Sequence, residues 1–317
     1  MPTLNERARS IADYMIASSA SLRINNITGP GGARVLDCGI EAKGGLQAGL
    51  FLARACLAKL AEVNLVAGDV GGVACPHVQV MTEEPVLACM ASQYAGWQIT
   101  QGDFFAMGSG PMRALYGKEE LFNDIPGREQ SSVAVGVLET ATLPGEEVIH
   151  YLAEQLGIEP GQITLLVAPT SSIAGSLQVV ARSVEMALHK LHELKFDLTQ
   201  IVSAFGTAPL CPVAKDDLLA IGRTNDAVLY GGRVSLWVDA EDEQIAEVGA
   251  KVPASASRDY GTPFAEIFKR YEGDFYKIDP MLFSPAELVV HNLRSGKCRQ
   301  FGRIDHEVLS RSFFDQG

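Results

Sequence analysis

The sequence predicts an α+β fold made of two mixed α/β domains, each with a substantial sheet. Three observations carry this. The chain has 317 residues, 47% hydrophobic and 20% charged, which is a globular balance with enough material for two cores. Segments with strand and helix periods mix along it without a strict βαβ rhythm. Its 31 glycines sit largely in polar turns, so the elements are bounded by turns rather than run together.

Taken in order, Asn5 to Ala20 reads as a helix, with Ala8, Ile11, Ala12, Met15 and Ile16 facing inward and Asn5 as cap. Arg23 to Thr28 and Arg34 to Gly39 read as strands around the Gly29-Pro30-Gly31-Gly32 turn. Gly44-Gly45 opens a helix over Leu46 to Leu60, and Asn64 to Ala67 is a short strand. Val78 to Met81 and Trp97 to Thr100 are further strands, and Gly108-Ser109-Gly110-Pro111 is a tight turn. Val133 to Leu138 is a strand and Glu146 to Leu156 a helix. Later come strands at Ile201 to Phe205 and Asp226 to Val238, the second interrupted by Gly231-Gly232. A helix is expected at Pro263 to Tyr271, and a closing pair of strands at Leu288 to Asn292 and Cys298 to Arg303. There is no internal repeat or long linker. The weakest place for a boundary is the turn at Pro144-Gly145, which gives domains 1–145 and 146–317, approximate and open to discontinuity.

The most informative stretch lies between these. Ile163 to Ala168 reads as a buried strand running into Pro169-Thr170-Ser171-Ser172-Ile173-Ala174-Gly175-Ser176. A helix follows over Leu177 to Leu194, free of Gly and Pro, with Leu177, Val180, Val184, Leu188 and Leu191 as its apolar stripe. Arg182, Glu185, His189 and His192 form a second row at spacings of three, four and three, which places them on one face. Such a row is ordinarily a solvated surface with one weak ion pair. A strand, a small-residue turn and a helix start together make a good ligand site in an α/β protein, and a carboxylate held there by an Arg can transfer protons. His189 and His192 lie farther from the turn and are read as structural.

Composition narrows the function classes. A net charge of −12 without a basic block argues against a nucleic-acid partner. The six scattered cysteines show no C-x-x-C pair, which suits a reducing cytosol. Cys75-Pro76-His77 with Cys89 fits no common zinc spacing, so no metal is expected. Met1 to Ala20 is amphipathic rather than signal-like, and no apolar run is long enough to span a membrane. The expectation is a soluble cytoplasmic protein. G-x-G-x-x-G, the Walker pattern and G-x-S-x-G are all absent.

Several uncommon strings then combine. They are Gly108-Ser109-Gly110-Pro111-Met112-Arg113-Ala114-Leu115, the Pro169 to Ser176 string, Gly222-Arg223-Thr224-Asn225-Asp226-Ala227 and Tyr230-Gly231-Gly232. Asp259-Tyr260-Gly261-Thr262-Pro263-Phe264 and Phe275-Tyr276-Lys277-Ile278-Asp279-Pro280 complete the set. In this order, over nearly the full length, the chain resembles the methenyltetrahydromethanopterin cyclohydrolases. The resemblance implies two α/β domains with a ligand pocket between them, a homotrimer, and reversible hydrolysis of a methenyl bridge to the 5-formyl compound. The family serves formaldehyde oxidation in one setting and methane formation in another. No cofactor is implied, because the tetrahydromethanopterin one-carbon carrier is the substrate. The family's Arg-x-x-Glu pair matches Arg182 and Glu185, with Glu185 implied as general base and acid and Arg182 as its partner. An Arg lowers a carboxylate's proton affinity while burial raises it.

Thr170, Ser171 and Ser172 could hydrogen-bond the pterin, as could Arg223, Thr224 and Asn225 from another loop; turn chemistry is the ordinary alternative for each. Arg113 and Lys277 could meet acidic groups of the carrier's tail, or form ordinary ion pairs. Tyr260 could wall an aromatic slot, or belong to the core. Two rivals are a reduced-pterin carrier or sensor that binds without turnover, and a purely structural oligomer subunit. A metal-dependent amidohydrolase is a third.

Overall fold

The structure, a computed structural model, describes residues 1–273 and 277–314. Phe275 and Tyr276 of the last shared string lie outside the described residues. The chain divides into two compact units, Met1–Ala61 with Leu87–Gln178, and Glu62–Val86 with Val179–Gly317. Neither unit is continuous in sequence, and the division does not fall at residue 145. Strand pairing explains why: residues 163–168 hydrogen-bond to strands at 34–37 and 134–139, so the segment after Pro144 completes the first sheet.

The first unit is built on a mixed sheet. Its strand order is β1 (Asn25–Thr28), β2 (Arg34–Asp37), β10 (Ile163–Ala168), β9 (Ala134–Glu139), β8 (Phe104–Ser109) and β7 (Trp97–Gln101). β2, β10 and β9 run parallel, and β1, β8 and β7 join antiparallel at the flanks. Side chains alternate across a strand, so each central strand feeds two cores. Leu36, Val135, Val137 and Leu166 pack with α1 (Leu4–Ala17) and α3 (Leu46–Cys56) through Ala8, Met15, Leu52 and Ala55. Val35, Ala134, Leu165 and Val167 pack with α5 (Glu146–Leu156) through Val148, Ile149 and Leu152. Helices on both faces are the reason Ile163–Ala168 is buried throughout and, apart from Thr164, apolar.

The cap of α1 is Thr3 rather than Asn5. Thr3 and Glu6 form a reciprocal capping box, with 3.1 Å from the Glu6 N–H to Thr3 Oγ1 and 2.8 Å from the Thr3 N–H to Glu6 Oε2. Asn5 lies inside the first turn, fully buried. It donates to the Pro111 carbonyl and to Glu129, and accepts from the Val135 N–H. A short helix, α2 (Ser19–Leu22), follows α1, and α4 (Met112–Tyr116) follows the Gly108 turn. A π-helix over Val86–Gln93 escaped the sequence reading, because its wider i→i+5 turns have no simple apolar period. The Tyr94 N–H to Cys89 carbonyl bond of 2.7 Å is one such turn.

The second unit carries the sheet β14 (Cys298–Gly302), β13 (Glu287–Asn292), β12 (Arg233–Val238), β11 (Ile201–Pro209), β6 (His77–Thr82), β3 (Ala61–Val66). A ribbon of β4 (Asp69–Val70) and β5 (Val73–Ala74) stands beside it in sequence. Asp226 to Tyr230, expected as strand, instead finishes α8 (Asp217–Leu229), and β12 begins only after Gly231-Gly232. Asp216 caps α8 by accepting from the Leu219 N–H at 2.9 Å, and α8 packs on α10 (Phe264–Arg270) and α11 (His306–Phe313). The Ala-Val-Leu run at its end is apolar because all three residues, Ala227, Val228 and Leu229, are buried. α9 (Asp242–Gly249) packs on β13.

Candidate active site

The helix expected over 177–194 is two helices. α6 (Ile173–Val180) begins within the Thr/Ser/Gly string, and α7 (Ser183–Glu193) begins one turn on. Arg182 stands at the joint with φ −91° and ψ 9°, and its N–H reaches back only three residues, to Val179 at 3.1 Å. The break gives α7 its own N-terminus. Glu185 lies in its first turn, where unmatched backbone N–H groups stabilise a negative charge.

The apolar stripe is fully inside, with Val184 and Leu188 at 0% exposure. The polar row is not the solvated face its spacing suggested. Arg182 and Glu185 are only 7% and 5% exposed, and Arg182 Nη1 stands 3.8 Å from Glu185 Oε2. A charge-assisted hydrogen bond would measure about 2.7–2.9 Å, so this guanidinium acts on the carboxylate mainly as a nearby charge. Burying two charges costs more than a loose pair returns, so stability alone is a weak reason for them. Buried charged groups with a specific partner mark functional sites.

The strand beneath is shaped for this turn. A side chain at Gly206 of β11 would place its Cβ 2.5 Å from Ser183 Oγ and 2.8 Å from Val184 Cγ2. Only a glycine lets the start of α7 lie this close to the sheet. Along the same helix Lys190 is buried and donates to the Met281 carbonyl, and burial pulls its ammonium down to about 8. His189 and His192 stand 3.9 and 3.8 Å from Glu193, and desolvation lowers the proton affinity of His189, as suits structural histidines.

Most other sequence-nominated residues are held by the fold. Arg113 is fully buried and clamps Glu119 through Nε and Nη2 at 2.9 and 2.6 Å. Its Nη1 donates to the carbonyls of Met90 and Ser92 in the π-helix. These bonds pin the π-helix and Glu119 to α4. Arg223, Thr224 and Asn225 are on α8 and not in a loop. Arg223 donates to the carbonyls of Ser312 and Pro212, Thr224 to Ala220 and Asn225 to Ile221.

Tyr260 is half-buried, 5.0 Å from the Tyr230 ring, and donates to Asp305. Burial, then Asp305, push its phenol up to about 12. Tyr230 in turn donates to the Thr262 carbonyl at 2.6 Å, and Asp226 accepts from the Phe264 N–H at 2.8 Å. Three shared strings thus knot α8 to α10. Lys277 is exposed and pairs with Glu272 at 3.6 Å.

In the first unit, Ser172 Oγ donates to the Pro169 carbonyl and accepts from the Gly175 N–H at 3.0 Å, closing the turn that starts α6. A Cβ at Gly175 would sit 1.9 Å from the Pro169 carbonyl oxygen, so this turn admits glycine alone. Thr170 donates to Glu139, a residue not singled out from the sequence because one Glu after an apolar strand carries no pattern. Ser171 is partly exposed beside it. Among the described residues no group of three His, Cys, Asp or Glu is placed to hold a metal, and Cys75 Sγ is directed to the Leu210 carbonyl. No helix among them is long and apolar enough to cross a membrane.

Comparison with known proteins gives the same direction. A family model described as Cyclohydrolase (MCH) matches residues 3–313. The chain is 54% identical over 287 residues to a methenyltetrahydromethanopterin cyclohydrolase of Rhodopirellula baltica, covering 89% of this chain and 86% of that one. It is 43% identical over 316 residues to the protein of that name in Methylobacillus flagellatus, covering 98% and 95%. With that of Methanococcoides burtonii it shares 42% over 315 residues, covering 99% and 98%. Coverage of this extent leaves no domain unmatched, and the chain belongs to the Cyclohydrolase (MCH) family.

Proposed function

We propose that the protein hydrolyses the methenyl bridge of 5,10-methenyltetrahydromethanopterin to the 5-formyl compound, and catalyses the reverse cyclisation. The observation that carries this is the buried Arg182–Glu185 pair at the start of α7, in a chain of this family. The methenyl carbon sits between two nitrogens as an amidinium cation and is electrophilic as it stands. Water adds to it and gives a proton to Glu185. The carbon–nitrogen bond then breaks, its electron pair goes to the departing nitrogen, and that nitrogen takes the proton from Glu185. The remaining hydroxyl proton leaves to solvent as the formyl C=O forms. One cation and one water become one neutral formyl compound and one proton, and a single carboxyl group serves as base and acid in turn. Arg182 holds the carboxylate and orients the water through the same charge. The carrier is consumed as substrate and no cofactor takes part. The active species is a homotrimer, which light scattering of the purified protein checks.

The test follows loss of the methenyl absorbance with wild type, Glu185→Gln and Arg182→Ala, in buffer with chelator. Expected are fast wild-type hydrolysis unaffected by chelator and a loss of roughly 10²–10⁴-fold in kcat for Glu185→Gln, with substrate binding retained. Arg182→Ala is expected to lose at least 10²-fold. A Glu185→Gln variant as fast as wild type sinks the assignment. A wild type that binds the pterin without turnover replaces it with a carrier.

A further inference from the structure

We infer that Glu139 is a substrate-positioning residue that accepts the 2-amino and adjacent ring N–H of the substrate's pterin; the identity of that substrate rests on the activity proposed above. The inference starts from topology. β9 and β10 are neighbouring parallel strands, and their following helices leave to opposite faces of the sheet. After β9, α5 packs on the face of Leu165 and Val167. After β10, α6 turns to the other face, where Ala174 joins the core of α1 and α3 and, with Leu177, crowds Gly49. Such a reversal opens a crevice beyond the carboxyl ends of the two strands, and ligands of open α/β sheets bind there. Glu139 is the last residue of β9, in register with Ala168 at the end of β10.

The loops around this edge are fixed. Asp37, at the end of β2, spends both oxygens on four backbone N–H groups, those of Gly39, Ile40, Glu41 and Ala42, at 2.7–2.9 Å. The Cys38 N–H bonds the Val167 carbonyl at 2.9 Å and the Thr140 N–H the Ala168 carbonyl at 3.3 Å. Ser176 Oγ donates to the Thr170 carbonyl at 2.7 Å. Of the two strand-end carboxylates, Asp37 is therefore consumed by the backbone, whereas Glu139 is not. Glu139 is half-buried, and among the described residues its side chain receives one hydrogen bond, from Thr170 Oγ1 to Oε1, and pairs with no cation.

A carboxylate with one oxygen steered by a hydroxyl, in a rigid frame, suits a planar ligand edge with two parallel N–H donors. The reduced pterin carries such an edge in its 2-amino-4-oxopyrimidine ring. Thr170, nominated from the sequence as a direct contact, thereby acts through Glu139.

Two measurements test this. Wild type is assayed for competitive inhibition by a small reduced 2-amino-4-oxopteridine and by its 2-deamino counterpart; the amino compound is expected to bind at least roughly 10-fold tighter. In Glu139→Gln that preference disappears, and KM for the methenyl substrate rises roughly 10- to 100-fold, a larger change than in kcat. Equal inhibition by the two pteridines in wild type overturns the inference without any variant, while hydrolysis itself stands. An unchanged KM in folded Glu139→Gln overturns it as well. A wild type that does not hydrolyse the methenyl compound overturns the proposed activity and this inference together.

Discussion

Glu185 and Asp226 are both buried carboxylates of the second unit, with different neighbours. Glu185 has the Arg182 guanidinium and a helix N-terminus beside it. Asp226 is 0% exposed and is met by the Ser312 hydroxyl at 2.6 Å and the Phe264 N–H at 2.8 Å. Burial outweighs these two bonds and pushes its carboxyl up to about 7. Below the ordinary value of 3.8 the group is protonated in folded and unfolded chains alike. Between there and about 7 the unfolded chain releases the proton and the folded one holds it, so stability falls as pH rises through that window and is level above it. The slope from this group is about 1.4 kcal/mol per pH unit at most. Asp226→Asn keeps an acceptor for Phe264 and a partner for Ser312, so its melting temperature is expected to gain on wild type from pH 4 to pH 7. Parallel melting profiles would show that Asp226 ionises freely in the folded protein.

At the scale of elements, the turn that carries Arg182 and Glu185 is set by contact between α7 and β11. Gly206 is the point of closest approach, and a methyl there meets Val184, whose branched side chain has little freedom to yield. Gly206→Ala is expected to displace the first turn of α7 and cost about 1–3 kcal/mol in thermal or denaturant unfolding. The larger effect is on turnover, at least roughly 10-fold in kcat, because misplacing a reacting group by a fraction of an ångström is expensive. The double variant Gly206→Ala, Ser183→Gly, which removes one of the two clashing side chains, is expected to recover part of the loss. Equal kcat for wild type and Gly206→Ala would show that the turn is held from elsewhere. The helix itself was legible in the stripe from Leu177 to Leu191; its division at Arg182 was not, since Ala181 and Arg182 are both good helix formers.

For the whole molecule, the chain passes between the two units at 61/62, 86/87 and 178/179, so each core is assembled from distant segments. A fragment ending at residue 145 lacks β10, the strand that joins β2 to β9. It is expected to give no cooperative melting transition by circular dichroism, whereas the full chain does; a cooperative fragment would show that the first sheet closes without its central strand. What the sequence alone determined is local or cumulative. The residue patterns of the two segments named β10 and α5 to the residue, and the ordered strings together named the family. Three things only the tertiary structure decided. Arg182 and Glu185 are buried instead of solvated, Arg113 bonds Glu119 and backbone carbonyls and Arg223 bonds backbone carbonyls, and Glu139 stands where the helices after β9 and β10 leave to opposite faces. Periodicity fixes which face a residue takes on its own element, but the medium around that face depends on what packs against it from far along the chain, and only the folded chain holds that information.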